Sequence, residues 1–193
     1  GLVGRIGSGK STVAQLVPRL FDVGGGEILL DGQDIRKLSL RDLRQTLGYV
    51  PQDPFLFSTS LRRNLAFGRD DVTEDELMRA AAIARLDRDL EVFPEKLDTI
   101  VGERGMTLSG GQKQRATLAR ALVMDPPVLI LDDCLSSVDA QTEAEILRGL
   151  RSILKEKTCL IISHRISAVK EADEILVLDD GRIIERGSHD ELV

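Results

Sequence analysis

The segment Gly4-Arg5-Ile6-Gly7-Ser8-Gly9-Lys10-Ser11-Thr12 restricts the folds open to this chain more than any other stretch. Its spacing fits G-x-x-x-x-G-K-[ST], in which glycines let backbone N–H groups close around phosphate oxygens. It follows the strand stub Leu2-Val3 and leads into helical periodicity, so it reads as strand, loop and helix start in succession. A second small-residue segment, Leu108-Ser109-Gly110-Gly111-Gln112, reads as another helix start, where orphan N–H groups and the helix dipole favour an anion. One nucleotide needs one such segment. Two suggest that each serves a different ATP, which points to a dimer.

The rest of the pattern is that of an α/β protein. Val128–Leu131, Cys159–Ile162 and Ile175–Leu178 are near-continuous apolar runs separated by helical stretches, the signature of a buried, mostly parallel sheet flanked by helices. Leu47–Val50 is a further strand ending at Pro51, and Glu27–Asp31 another with Asp31-Gly32 as its turn. After the phosphate loop, Val13, Leu16, Val17 and Leu20 are expected to form one apolar helix face, which Pro18 should kink or end early. From Ser58 to Glu95 the strand signals stop, and Thr73-x-x-Glu76 caps a run that places Leu77, Ala80, Ala81 and Ala84 on one side. Ser39-x-x-Asp42 and Ser188-x-x-Glu191 start two more helices, and Asp180-Gly181 turns a hairpin into Ile183-Ile184. The expected organisation is one domain over 1–193, with a core of 1–57 and 124–193 and an inserted helical subdomain at about 58–123.

Composition narrows the function. At 193 residues, with 42% apolar and 30% charged residues, the chain suits one domain with a core. The net charge of −6 argues against a nucleic-acid partner. No apolar run reaches the eighteen residues of a membrane span, and no signal peptide is read. Cys134 and Cys159 lack disulfide-framework or zinc spacing; Cys159 is expected to be a small buried thiol in a reduced, cytosolic setting.

The chemistry gathers at strand ends. In the phosphate loop, Lys10 is placed to reach the β- and γ-phosphates and the Ser11 hydroxyl to ligate Mg²⁺. Val128–Leu131 runs into Asp132-Asp133, and an Asp at the carboxyl end of a core strand is suited to hold Mg²⁺ through water.

With Leu108–Gln112 added, the order of motifs resembles the nucleotide-binding domain of ATP-binding-cassette (ABC) transporters over nearly all 193 residues. The resemblance implies that ATP is held by Gly4, Gly7, Ser8, Gly9, Lys10, Ser11 and Thr12, and Mg²⁺ by Ser11, Gln52 and Asp132. It makes Gln52 the Q-loop glutamine, His164 the switch histidine at the γ-phosphate, and Ser137-Val138-Asp139 the D-loop. Asp133 stands where the family usually has the glutamate that polarises the attacking water, so Lys10, Gln52, Asp133 and His164 form the implied catalytic set. Ser109, Gly110, Gly111 and Gln112 would close on the ATP of an opposing domain. Thr99–Gly105 resembles the X-loop of exporter-type domains, which puts Val101, Gly102, Glu103 and Arg104 near the coupling helices of a transmembrane domain, at the cytoplasmic face of a membrane.

Two departures from the family pattern shape the expectation. The strands and the adenine-stacking aromatic that precede the phosphate loop in the family are missing, so the sequence reads as truncated there, and Tyr49 is no convincing substitute. Asp133 is one carbon shorter than glutamate, which retracts its carboxylate by about 1.5 Å. A misplacement near 1 Å can cost ~10²-fold in rate, so ATP binding should survive and hydrolysis suffer, as in the degenerate half of a heterodimeric exporter. An importer or soluble cassette ATPase, a DNA-repair-type ATPase and a nucleotide sensor that scarcely hydrolyses are the alternatives. The short helical insert without heptads disfavours the DNA-repair type, and the X-loop disfavours the importer.

Overall fold

In the computed structural model, residues 1–105 and 107–193 are described, with Arg104 in its backbone only. The chain divides into two compact units. The first comprises Gly1–Tyr49, Pro127–Asp133 and Thr158–Val193; the second comprises Val50–Pro126 and Cys134–Lys157.

The first unit is organised by a sheet with strand order β4-β5-β6-β1-β7-β8. These strands are β1 (Leu2–Gly4), β4 (Leu47–Val50), β5 (Val128–Asp132), β6 (Thr158–Ile162), β7 (Ile175–Asp179) and β8 (Arg182–Gly187). The pairs β5–β6, β6–β1 and β1–β7 are parallel, as apolar strands buried on both faces require. The last strand returns antiparallel through Asp180-Gly181, both at positive φ. A two-residue turn at Asp31-Gly32, again with both φ positive, joins β2 (Leu29–Leu30) to β3 (Gln33–Asp34).

Helix α1 (Lys10–Leu16) leaves the phosphate loop and stops two residues before Pro18. Its buried side differs from the expected one. Ala14 is fully buried among Leu2, Ile130, Ile162 and Leu178, with Val17 beside it, while Val13 is 36% and Leu20 48% exposed. The helix is seven residues long, so Leu20 lies beyond it. Next to the sheet only a small side chain lets the helix axis come close, and that position is Ala14. Helix α2 (Leu40–Gln45) is capped by Ser39, which accepts from the Asp42 amide, and it buries Leu43 against Ile35 and Leu47. Cys159 is only half-buried, contrary to expectation, because it lies towards the exposed start of β6; Cys134 is the buried cysteine.

The second unit is helical. It holds α3 (Leu61–Leu65), α4 (Glu74–Ile83), α5 (Asp87–Val92), α6 (Gly110–Val123) and α7 (Ala140–Glu156). Thr73 and Glu76 form the expected capping box, and Leu77, Ala80, Ala81 and Ala84 are all buried. Helix α7 groups with this unit, and a Cβ added at its Gly149 would lie 3.6 Å from Ile83 of α4. Thr99–Val101 pairs with Thr59–Leu61: the Leu61 amide donates to the Thr99 carbonyl and the Val101 amide to that of Thr59. Back in the first unit, α8 (Ile166–Val169) follows β6, and Ser188 and Glu191 cap α9 (His189–Leu192). Among the described residues, no helix is long and apolar enough to cross a membrane.

Candidate functional site

The carboxyl ends of β1, β5 and β6 converge because their registers align: Leu2 and Asp132 both sit opposite Ile162. The parallel sheet thereby places the phosphate loop, Asp132-Asp133 and Ser163-His164 along one edge of the first unit.

At Gly4, φ is +149° and an added Cβ would lie 2.0 Å from the Leu178 carbonyl oxygen, so no side chain is accommodated. Gly9 caps α1 in the left-handed conformation. The Lys10 side chain folds back over the loop. Its Nζ donates to the carbonyls of Gly4 at 2.9 Å and Arg5 at 2.7 Å, and approaches Ser8 Oγ at 3.4 Å. At 6% exposure this ammonium is held by the loop's own acceptors, already aimed into the turn that would surround a phosphate.

Below the loop, the Ser11 hydroxyl donates to Asp132 Oδ1 at 3.1 Å. The Tyr49 hydroxyl stands 3.5 Å from Asp132 Oδ2. Burial pushes the Asp132 carboxyl above its usual range and the charge of Asp133 adds to this, while the Ser11 hydrogen bond opposes it. Burial, with Asp132's charge behind it, raises the Tyr49 phenol to about 12, so it remains a donor. Among the described residues no group of three or more His, Cys, Asp or Glu side chains is arranged to hold a metal. One hydroxyl and one carboxylate instead suit Mg²⁺, which keeps several waters and takes its other ligands from substrate phosphates. The donor set therefore fits that ion.

Asp133 follows in the left-handed conformation at φ 45°, its amide donating to the Ile162 carbonyl at 2.8 Å. Asp adopts this backbone region more readily than most residues. His164 is exposed beyond the end of β6, and Ser163 below it accepts from the Arg165 amide at 3.0 Å. The first unit thus gathers Gly4–Thr12, Asp132, Asp133 and His164.

The remaining implied site residues lie in the second unit. Gln52 is exposed after β4. Ser109 caps α6, accepting from the Gln112 amide, while Gln112 Oε1 accepts from the Ser109 amide at 2.8 Å. The reciprocal cap leaves Ser109, Gly110 and Gly111 at an open helix start. Val101 is buried and Gly102 partly exposed; the Arg104 side chain lies outside the described residues.

Asp89 was not legible as a site residue. From α5 it accepts from Gln112 Nε2 at 2.9 Å and from Arg115 Nη2 at 2.6 Å. Nothing in the spacing of two helices joined by a turn-rich loop announces this bond. Arg115 Nε is already buried without a hydrogen-bond partner. Asp89→Ala should therefore leave a second part of the guanidinium unpaired and cost about 1–3 kcal/mol, read as a lower urea midpoint of the second unit. An unchanged midpoint would deny Asp89 this role.

Residues 1–136 match the family model described as ABC transporter. The chain is 48% identical over 193 residues to a Bacillus subtilis protein described as "Probable multidrug resistance ABC transporter ATP-binding/permease protein", covering all of this chain and 33% of that one. It is 46% identical over 193 residues to the ATP-dependent lipid A-core flippase of Pectobacterium atrosepticum, with the same two coverages. It is similar in structure to a bacterial Atm1-family ABC exporter solved with ATP bound, at TM-score 0.95 and 45% identity, over 99% of this chain and 34% of that chain. The chain thus spans about a third of the length of the relatives it matches.

Proposed function

The chain belongs to the ABC transporter family, as an ATP-binding domain homologous to those of exporter-type proteins, and from that premise we propose that it is the ATP-hydrolysing motor of a membrane exporter. The observation that carries the reading is the Ser11 hydroxyl against the buried Asp132 carboxylate, 3.1 Å apart under a phosphate loop that already holds its lysine.

ATP enters with its phosphates over Gly4–Thr12. Lys10 exchanges the Gly4 and Arg5 carbonyls for β- and γ-phosphate oxygens, a strong charge-assisted contact. Ser11, Asp132 and Gln52 would hold Mg²⁺, which when bound would supply positive charge to the phosphate oxygens. Asp133 orients the attacking water from a retracted position, and His164 contacts the γ-phosphate. Phosphoryl transfer to water needs little covalent help, so these side chains act by position and charge.

Closure requires a second domain, whose Ser109–Gln112 counterpart covers this ATP while this chain's own segment covers the partner's. The coupling helices of the transmembrane part lie near Val101, Gly102, Glu103 and Arg104, at the cytoplasmic side of the membrane, with buried Val101 anchoring the loop beneath them. In the same unit, exposed Phe55 meets Phe57 edge-to-face and Phe57 lies tilted against Phe67, an apolar surface suited to such a partner. Asp133 makes this chain the slower half of the pair.

The test is phosphate release by the full-length protein in lipid. Release that needs Mg²⁺, stops with a chelator and vanishes in Asp132→Asn supports the reading. Release indifferent to both contradicts it.

A further inference from the structure

Gln114 lies one turn into α6, and at 2% exposure its amide is buried. A buried amide is costly unless its hydrogen bonds are made, and here three are. Its Oε1 accepts from the Ser137 backbone N–H at 2.8 Å. Its Nε2 donates to Ser136 Oγ at 3.0 Å and, more weakly, to the Gln52 carbonyl at 3.5 Å. Because a backbone N–H can only donate, the Ser137 contact fixes which end of the amide is oxygen.

The helix face around Gln114 is built for close approach. Gly110 and Gly111 stand four and three residues before it, on the same side of α6. A Cβ at Gly111 would lie 3.0 Å from the Ser137 carbonyl oxygen, and one at Gly110 would lie 3.4 Å from Ser137 Cβ. Two glycines admit the Ser136–Ser137 turn, and Gln114 then bonds it. Three segments from distant parts of the sequence meet at this one amide: the start of α6, the turn after Asp133, and the backbone of Gln52.

We propose that Gln114 is a positioning residue for ATP hydrolysis, one that locks the Ser136–Ser137 turn and the Gln52 backbone to the helix beginning at Ser109. The inference rests on the reading of Gln52 and Ser109–Gln112 as parts of an ATP-hydrolysing site. At 2% exposure and with its amide bonded to the turn and the Gln52 backbone, Gln114 acts through these neighbours. It makes α6, the Gln52 segment and the turn move as one piece, so that engagement of Ser109–Gln112 by a second domain reaches Gln52.

The experiment compares wild-type full-length protein with Gln114→Leu, Gln114→Glu, Ser136→Ala and the Gln114→Leu/Ser136→Ala double variant. Steady-state ATP hydrolysis is measured beside hydrogen exchange of the Ser137 amide. Gln114→Leu removes the acceptor, so Ser137 exchange should accelerate about tenfold. Its kcat should fall by up to ~10²-fold, the cost of misplacing a catalytic group by about 1 Å, with KM for ATP unchanged. Gln114→Glu keeps the acceptor and loses the donors, so it should restore Ser137 protection while kcat stays low. The double variant should be no slower than Gln114→Leu alone, since both changes break one link. Unchanged kcat in both Gln114 variants, or Ser137 protection that survives Gln114→Leu, would overturn the proposal. Wild-type protein without ATPase activity but with the Ser137 exchange pattern intact would refute the functional reading and leave the lock standing. Should Gln114→Leu fail to fold, the Gln114→Glu arm decides: wild-type kcat there contradicts the proposal.

Discussion

Asp133→Glu should raise ATP turnover at this chain's phosphate loop by roughly 10²-fold, measured as phosphate release by the full-length protein. The added methylene carries the carboxylate about 1.5 Å further towards the water that must be polarised. Within the first unit, Asp132 is held by Ser11 and Lys10 lies inside its loop. The gain should come with a structural cost. Position 133 is left-handed at φ 45°, a region that disfavours side chains by about 1–2 kcal/mol, with Asp among the better tolerated. Turnover should therefore rise while the melting temperature falls slightly. Turnover that stays level would mean that Asp133 does not limit the site, and the slow-half reading would be lost.

Lys10→Ala should weaken MgATP binding to this chain by roughly 10- to 100-fold, the worth of hydrogen bonds from one charged group. The ammonium is at present shared among the Gly4 and Arg5 carbonyls and Ser8. Removing it returns the Arg5 carbonyl, on an exposed residue, to water, so the fold should bear the change. Calorimetric titration of MgATP reads the loss directly. An affinity equal to that of the wild type would show that phosphate oxygens do not replace those carbonyls as Lys10's partners.

How much could be read from residues alone follows the range over which each interaction acts. Caps and turns depend on neighbours within four residues, and these were legible: the capping box at Thr73-x-x-Glu76, the Ser39 cap, the turn at Asp31-Gly32 and the break at Pro18. The strand expected over Glu27–Asp31, by contrast, is only Leu29–Leu30. The phosphate loop and Asp132 were legible because their chemistry demands fixed spacing. Helix faces were less so. The stripe Val13–Leu20 assumed a helix long enough to use it, whereas α1 ends at Leu16 and buries Ala14. Cys159 sat in an apolar run, yet burial along β6 grows only towards its carboxyl end.

What escaped the sequence was mostly polar and distant. Tyr49 lies 83 residues from Asp132, Asp89 lies 26 from Arg115, and Gln114 lies 62 from Gln52 and 22 from Ser136. No periodicity marks a polar side chain whose partner is another segment. The one available signal was Gln114 itself, an uncharged polar residue one turn after Gly110 and Gly111 on the same side of α6.

The central claim is that Gly4–Thr12 and Ser109–Gln112 serve different nucleotides. Ser109→Arg fills the open helix start of α6 and leaves the residues of the phosphate loop unchanged. In the full-length protein, MgATP binding to this chain and phosphate release should be measured for Ser109→Arg beside Lys10→Ala. The account expects Ser109→Arg to keep this chain's MgATP affinity while lowering turnover of the assembly, and Lys10→Ala to lose the affinity itself. Equal loss of affinity in both variants would mean that the two segments share one nucleotide, and the account would be wrong.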